Sequence, residues 1–297
     1  MQQKQVSDKG LVIGIIVSMF LWGLSWPSGK VLTNYCSAVN FTVYRYILVV
    51  TTMLILLPSL KISFKIRKEG IPAFIASGIL LAIYSYFFFL GIKKGAAGAG
   101  GVLVTTLNPI MAYMIGMILG RRLPSRNEAV GLLLGITAGI ILLKIWDNTS
   151  ALLDSGNLYF LAASFTWAAM SKVTAQGARY GSSMSFSLWQ YLVTLVCLIP
   201  FMNVPEMQAA IHIKDPRFWL NLFFGAVIVT ALATTIYFYT TTRLGAEKAS
   251  SFIFLVPLAA AVSSWLFLGE QIRSHTIMGG ILGMGAVYMI NKKKSAI

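Results

Sequence analysis

"FLWGLSW" (Phe20–Trp26) returns in the second half of the chain as "FTWAAMS" (Phe165–Ser171), so that Trp22 pairs with Trp167. The echo continues. "GIKKGAAGAG" from Gly91 meets "TTRLGAEKAS" from Thr241, with Lys93 on Arg243 and Gly95 on Gly245. "TLNPIMAYMIGMILG" meets "FLVPLAAAVSSWLFLG", which pairs Pro109 with Pro257, and Gly131 and Gly135 then fall on Gly279 and Gly283. The offset stays near ~148 residues with small gaps, so the chain is a duplicated unit.

What is duplicated follows from composition. Of 297 residues 57% are hydrophobic and only 11% charged, with a mean hydropathy of +0.76. A water-soluble domain of this length cannot hide that much apolar surface, so the chain reads as an all-α integral membrane protein. A helix crosses the hydrocarbon in about 20 residues. Ten apolar runs lie near 11–31, 41–58, 71–92, 99–119, 127–146, 157–176, 184–202, 218–242, 248–268 and 275–291. They are too long for membrane strands and do not alternate apolar with polar. The first is too long for a cleaved leader and is followed by no small-residue cleavage motif.

Ten runs in two copies place five in each half, at 11–146 and 156–291. Five is odd, so the second half enters the bilayer upside down relative to the first. Two inverted five-helix repeats around a central cavity are an architecture of secondary transporters. With the N-terminus inside, sixteen Lys and Arg fall on inner loops and seven on outer ones, Arg45 remaining within a span. Both termini are therefore expected in the cytoplasm of an inner or plasma membrane. This clustering accounts for the net charge of +15 without nucleic acid. Cys36 and Cys197 have no metal-ligand spacing, a disulfide between them is disfavoured, and no cofactor or metal is expected. "GAAGAGG" from Gly95 lacks the Gly-Lys-Ser/Thr ending of a phosphate loop.

Four features resemble the EamA type of the drug/metabolite transporter superfamily: "LWGLSWPSGKVL" in span one, "AVNFTVYRYILVV" in span two with Arg45 before an aromatic, the prolines of spans four and nine, and "LGEQIRSHTIMGGILGMGAVY". The likeness covers nearly the whole chain. The first half departs from it at Gly120–Arg122, where "GRR" replaces a Gly-Glu pair and leaves Glu270 without a counterpart. The resemblance implies export or exchange of small metabolites through a cavity walled by spans one, three, four, six, eight and nine, with five and ten as packing elements.

Polar and ionisable groups inside a span face protein or water. Trp22, Ser25 and Trp26 share a helical face beside Pro27, which removes a backbone hydrogen bond. Trp22 reads as cavity wall; Trp26 reads equally as wall or interface belt. Thr105 and Asn108 beside Pro109 are candidate contacts, and Ser250 and Phe254 beside Pro257 are their counterparts. Tyr84 and Tyr86 in span three, Tyr237 and Tyr239 in span eight, and Trp167 and Trp189 complete the candidate wall. Pro27, Pro109 and Pro257 are the expected kinks. Arg45 either snorkels outward or sets a positive potential for a carboxylate or carbonyl; Lys30 and Lys172 pose the same choice. Glycines at every fourth position of span five, and Gly279 and Gly283 of span ten, read as packing faces.

All nine acids lie in loops or at span ends and neither histidine is deep. Cations are thus poor cargo, and no carboxylate is placed to shuttle protons. The leading expectation is a secondary carrier exporting or exchanging small neutral, zwitterionic or anionic, amino-acid-like metabolites, as one copy or a pair of copies. An organic-anion or phosphate-ester exchanger using Lys30, Arg45 and Lys172 is the alternative. A membrane-embedded enzyme lacks a deep nucleophile–base pair, and a scaffold would be expected to carry a larger loop domain.

Overall fold

The computed structural model describes residues 8–121, 123–144, 146, 156–177, 179–237, 240 and 251–291. Among them there is no strand. The helices are α1 (Asp8–Leu32), α2 (Ala38–Ser59), α3 (Ile71–Lys94), α4 (Ala97–Leu119) and α5 (Arg126–Leu143), then α6 (Asn157–Gly177) and α7 (Ser183–Leu198). A short α8 (Val204–Ile211) precedes α9 (Pro216–Phe223), which runs on as a π-helical stretch, Phe224–Ala233. A 3₁₀ turn, Ser251–Phe254, leads into α10 (Leu255–Leu268), and α11 (Ser274–Asn291) closes the chain.

Among the described residues seven helical stretches are long and apolar enough to cross a membrane: α1 to α5, Ser183–Phe201 and Pro216–Tyr237. The helices α10 and α11 are apolar but shorter, and α6 is long but less apolar, with buried Ser164 and Thr166. Large apolar side chains cover the outside of the bundle: Ile55 is 66% exposed, Ile118 72%, Leu133 65% and Phe267 69%. A surface of that kind is stable against lipid and not against water. The protein is a multi-pass membrane protein.

Helix ends carry their own signals. Ser37 and Ser182 cap α2 and α7 through their hydroxyls, and Ser125 with Glu128 forms a reciprocal capping box on α5. Gly156, at φ +78, turns the chain into α6 while packed against the backbone of Gly91 and Gly95. A side chain there would meet both the wrong φ and the neighbouring carbonyl.

The packing of the helices repeats the duplication. Matching α1–α5 with α6, α7, α9, α10 and α11 exchanges one set of neighbours for the other. The helix α3 packs on α6 as α1 packs on the helix after α9; α1 packs on α10 as α6 packs on α4; α4 on α10, α2 on α7 and α5 on α11 are pairs of equivalents. The seam of α5 and α11 is built on glycine. A Cβ at Gly131 would stand 2.7 Å from the Ile290 side chain, and one at Gly279 would stand 2.5 Å from Leu142. On its other face α11 meets α4, where a Cβ at Gly283 would stand 1.9 Å from Thr106 Cγ2. Such approach replaces the hydrophobic effect, which lipid does not supply, with close contact.

Two glycines two residues apart on α11, and so on opposite faces, therefore differ. Gly283→Ala drives a methyl into a stiff β-branched neighbour and is expected to cost about 1–3 kcal/mol, whereas Gly285 has nothing within 4 Å of its Cβ position. Thermal unfolding in detergent should fall for Gly283→Ala and be unchanged or raised for Gly285→Ala.

Candidate substrate cavity

The interior holds a cavity of ≈ 580 Å³ between the two halves. From α1 come Trp22, Ser25 and Trp26, from α2 Arg45 and Tyr46, and from α4 Thr105, Asn108 and Pro109. Tyr84 and Ser85 on α3, Trp167 and Met170 on α6, and Gln190 and Tyr191 on α7 complete the first half of the wall and cross into the second. Thr230, Thr234 and Tyr237 close it from the helix after α9.

The aromatic wall is duplicated. Trp22 lies against Tyr237 with centroids 5.1 Å apart, and Trp167 lies against Tyr84 at 4.7 Å. The tryptophans are equivalent in the two halves, and so are the helices that carry the tyrosines. Tyr46 and Tyr191, which stand 145 residues apart as the two tryptophans do, face each other at 5.9 Å. That same offset sets Arg45 opposite Gln190.

Arg45 projects into the cavity. Its Nη2 donates to Thr230 Oγ1 at 2.7 Å, and its guanidinium lies 5.5 Å from the Phe89 ring centroid. Thr230 Oγ1 in turn donates to the Gly225 carbonyl at 2.8 Å, five residues back, the spacing of the wide π turn. Thr234 repeats the pattern to Val229 at 3.3 Å. Wide turns of this kind recur at functional sites because they aim side chains that an α-helix would not. Gln190 is buried, takes a hydrogen bond from Thr174 at 3.3 Å, and donates only to the thioether of Met170 at 3.2 Å. Tyr46 OH meets Ser85 Oγ at 3.0 Å.

The prolines act locally. Pro109 cannot bond to the Thr105 carbonyl, and beside it Asn108 with its amide nitrogen turned inward donates to Val104 O at 3.0 Å and to Ser164 O at 3.2 Å, tying α4 to α6. Pro27 leaves the Gly23 carbonyl to a long contact with Ser263 Oγ at 3.5 Å. Pro257 lies in the first turn of α10, directly after the 3₁₀ turn, so it marks a change of helix type.

Not every expected residue reaches this space. Tyr86 is two residues, or about 200° of helix, from Tyr84; it lies on the outer surface, 43% exposed. Trp189 neighbours Gln190 but points away, stacked on Phe74 and donating to the Phe64 carbonyl at 2.9 Å. Tyr239, Ser250 and the side chain of Phe254 lie outside the described residues. Lys30 is not in the cavity: its ammonium caps the end of α3, donating to Ile92 O at 2.6 Å and Gly95 O at 2.8 Å. The Lys172 ammonium packs beside Gly116 of α4. Thr230 and Gln190 escaped the sequence reading; the signal for Gln190 was its register with Arg45.

The cavity is closed on the side where α1 ends. Trp26, 3% exposed, seals it with Phe88 at 4.6 Å and Phe160 at 6.0 Å, and Phe89 packs edge-on against Phe41 at 4.1 Å. Above this plug Glu270 accepts from the Ala97 and Gly98 amides, each at 2.8 Å, and so caps α4 from the opposite half. Glu206 of α8 accepts from the Ser37 amide and, at 2.7 Å, from Asn40, while Tyr44 donates to Met207 O at 2.6 Å. Beside this strap, Asp215 accepts from Tyr35 OH at 2.6 Å and from Arg217, and these bonds hold its carboxyl well below the usual range. On the other side the cavity runs to Thr174 near the end of α6 and Ser183 at the start of α7.

Known proteins agree with this architecture. The EamA-like transporter family matches residues 9–144 and again 154–292, and the chain belongs to that family. An uncharacterized transporter of Bacillus subtilis, YoaV, is 23% identical over 94% of this chain and 96% of its own. A probable amino-acid metabolite efflux pump of Salmonella typhimurium is 23% identical over 96% of this chain and 95% of its own. A solved crystal structure superposes with a TM-score of 0.63 at 14% identity, covering 95% of this chain and 96% of that one, which shows the shared fold.

The strap makes a measurable difference at Cys36, a free thiol that burial pushes up to about 12. In a Cys197→Ser background, maleimide labelling of Cys36 at pH 7.5 should be slow. Glu206→Ala, which releases α8 from Ser37 and Asn40, should speed it about tenfold or more, since the thiolate is the reactive form.

Proposed function

We propose that the protein is a secondary carrier of the inner or plasma membrane, with both termini in the cytoplasm, that exports or exchanges small metabolites without net positive charge by alternating access. The observation that carries this reading is the duplicated Trp–Tyr wall around one cavity. Two equivalent halves that meet at a shared binding space can rock to open it at either end. The plug of Trp26, Phe88 and Phe160 and the Glu270 cap then form the outer barrier, and the reach of the cavity to Ser183 corresponds to an inward-facing state. The relative named as an efflux pump supports the outward direction.

The lining suits a solute with an apolar body and a small polar head. Apart from Arg45 it offers hydroxyls, the amides of Asn108 and Gln190, and aromatic faces. The phosphate-ester alternative is weaker, because Lys30 is committed to backbone carbonyls and Lys172 lies outside the lining. A dianion would meet a single cation.

Counterflow into proteoliposomes loaded with amino acids, sugars and organic anions tests the reading. Saturable exchange of at least one solute is expected, with no saturable efflux of a quaternary ammonium dye and no accumulation driven by a pH gradient alone. Trp22→Ala and Trp167→Ala should each raise KM about 2–10-fold, the size of a lost aromatic contact. Complete absence of saturable flux across the screen would remove the carrier reading.

A further inference from the structure

We propose that the transported species is a monocarboxylate lacking a compensating ammonium group, anchored by Arg45, and that the membrane potential alone expels it. This rests on the carrier reading above and narrows it. Arg45 is the one charged side chain among the described residues that line the cavity. Among the described residues a single one of its five N–H donors is engaged, by Thr230. A guanidinium with open donors in an aromatic-walled space matches a carboxylate in charge and in two-pronged geometry.

The rest of the wall discriminates against the zwitterion. An ammonium group beside the carboxylate would sit in the positive potential of Arg45 and find no acid. Among the described carboxylates, Glu206, Asp215 and Glu270 are engaged on the closed side, by α2, Arg217 and α4 respectively, and neither Glu69 nor Glu128 is in the lining. In place of a counter-charge the equivalent position of the second half carries Gln190, whose amide among the described residues donates to the Met170 sulfur. That amide suits a carbonyl or a second carboxylate oxygen. The Trp22–Tyr237 and Trp167–Tyr84 pairs face an uncharged body.

The driving force follows from charge balance. Arg45 is fixed to α2 and returns to its starting place in every cycle, so the net charge moved per turnover is that of the solute. The described titratable lining groups are Arg45 and Tyr46, Tyr84, Tyr191 and Tyr237, none of which exchanges protons at neutral pH in a free side chain. An anion leaving a cell that is negative inside runs down the field. For one charge, 100 mV corresponds to about a 50-fold outward accumulation at equilibrium.

Two solutes with one body separate the cases: N-acetylphenylalanine, an anion, and phenylalanine, a zwitterion. Their flux is measured in proteoliposomes of the full chain against protein-free vesicles at pH 7.5, with the potential set by potassium and valinomycin. The expected result is a kcat/KM at least about tenfold higher for N-acetylphenylalanine, with flux accelerated toward the positive compartment. Arg45→Gln should abolish saturation and Arg45→Lys restore part of it. Thr230→Ala, which leaves the charge but frees it, should raise KM a few-fold and keep the dependence on potential, and it serves as the reporter should Arg45→Gln fail to fold. Phenylalanine carried equally well or better, or anion flux indifferent to potential, overturns the proposal while leaving a carrier. The carrier reading itself falls only if the whole solute screen shows no saturable flux.

Discussion

Hydrocarbon offers no hydrogen bonds, and this constraint arranges almost everything polar in the molecule. The hydroxyls of the spans turn back on their own helices: Ser18 to Gly14, Thr52 to Leu48, Ser164 to Phe160, Ser171 to Trp167 and Thr235 to Ala231. Buried helix ends are treated alike. Lys30 closes the end of α3 and Glu270 the start of α4, so the α3–α4 connection is held by a cation on one side and an anion on the other. Each charge sits where the helix dipole favours it. Among the described residues Thr106, Thr240 and Ser264 alone have buried hydroxyls without a partner.

The caps also join the two halves. Glu270 follows α10 yet completes α4, and Glu206 precedes α9 yet completes α2. A rigid-body movement that opened this side would expose the amides of Ala97, Gly98 and Ser37. They would then need water, which is what an opened vestibule supplies. The same bonds are therefore firm while lipid and protein surround them and would cost little to break if solvent entered.

Much of this was legible in the sequence, because duplication writes the same side chain at the same depth twice. Trp22 and Trp167 announce each other, and Asn108 beside Pro109 is too polar for lipid. Packing glycines repeat at one-turn spacing. What stayed hidden has identifiable causes. Tyr86 and Trp189 carry the right chemistry, but helices of low amphipathicity give no periodic signal for the face they present. The π turn that aims Thr230 at Arg45 leaves no trace in the mostly apolar run Phe224–Ala233. The strap α8 lies within "NVPEMQAAIHIKDPR", where Asn and Pro are turn-forming residues by type but here Asn203 caps the helix and Pro205 sits in its first turn. Glu270 looked dispensable because "GRR" replaces its counterpart; its role is local capping, which one half can need without the other.

The duplication is broken at one place that matters for charge. Register places Arg45 and Gln190 at equivalent points beside the facing rings of Tyr46 and Tyr191. A perfect repeat would have put two guanidinium groups into one aromatic-walled space. Two like charges across one cavity repel, and the second would also have to be desolvated. Replacing one by a neutral amide of similar reach removes that repulsion and keeps a donor on both sides. It also gives the cavity a direction it would otherwise lack. The two halves, alike in fold, thus line the cavity with different chemistry.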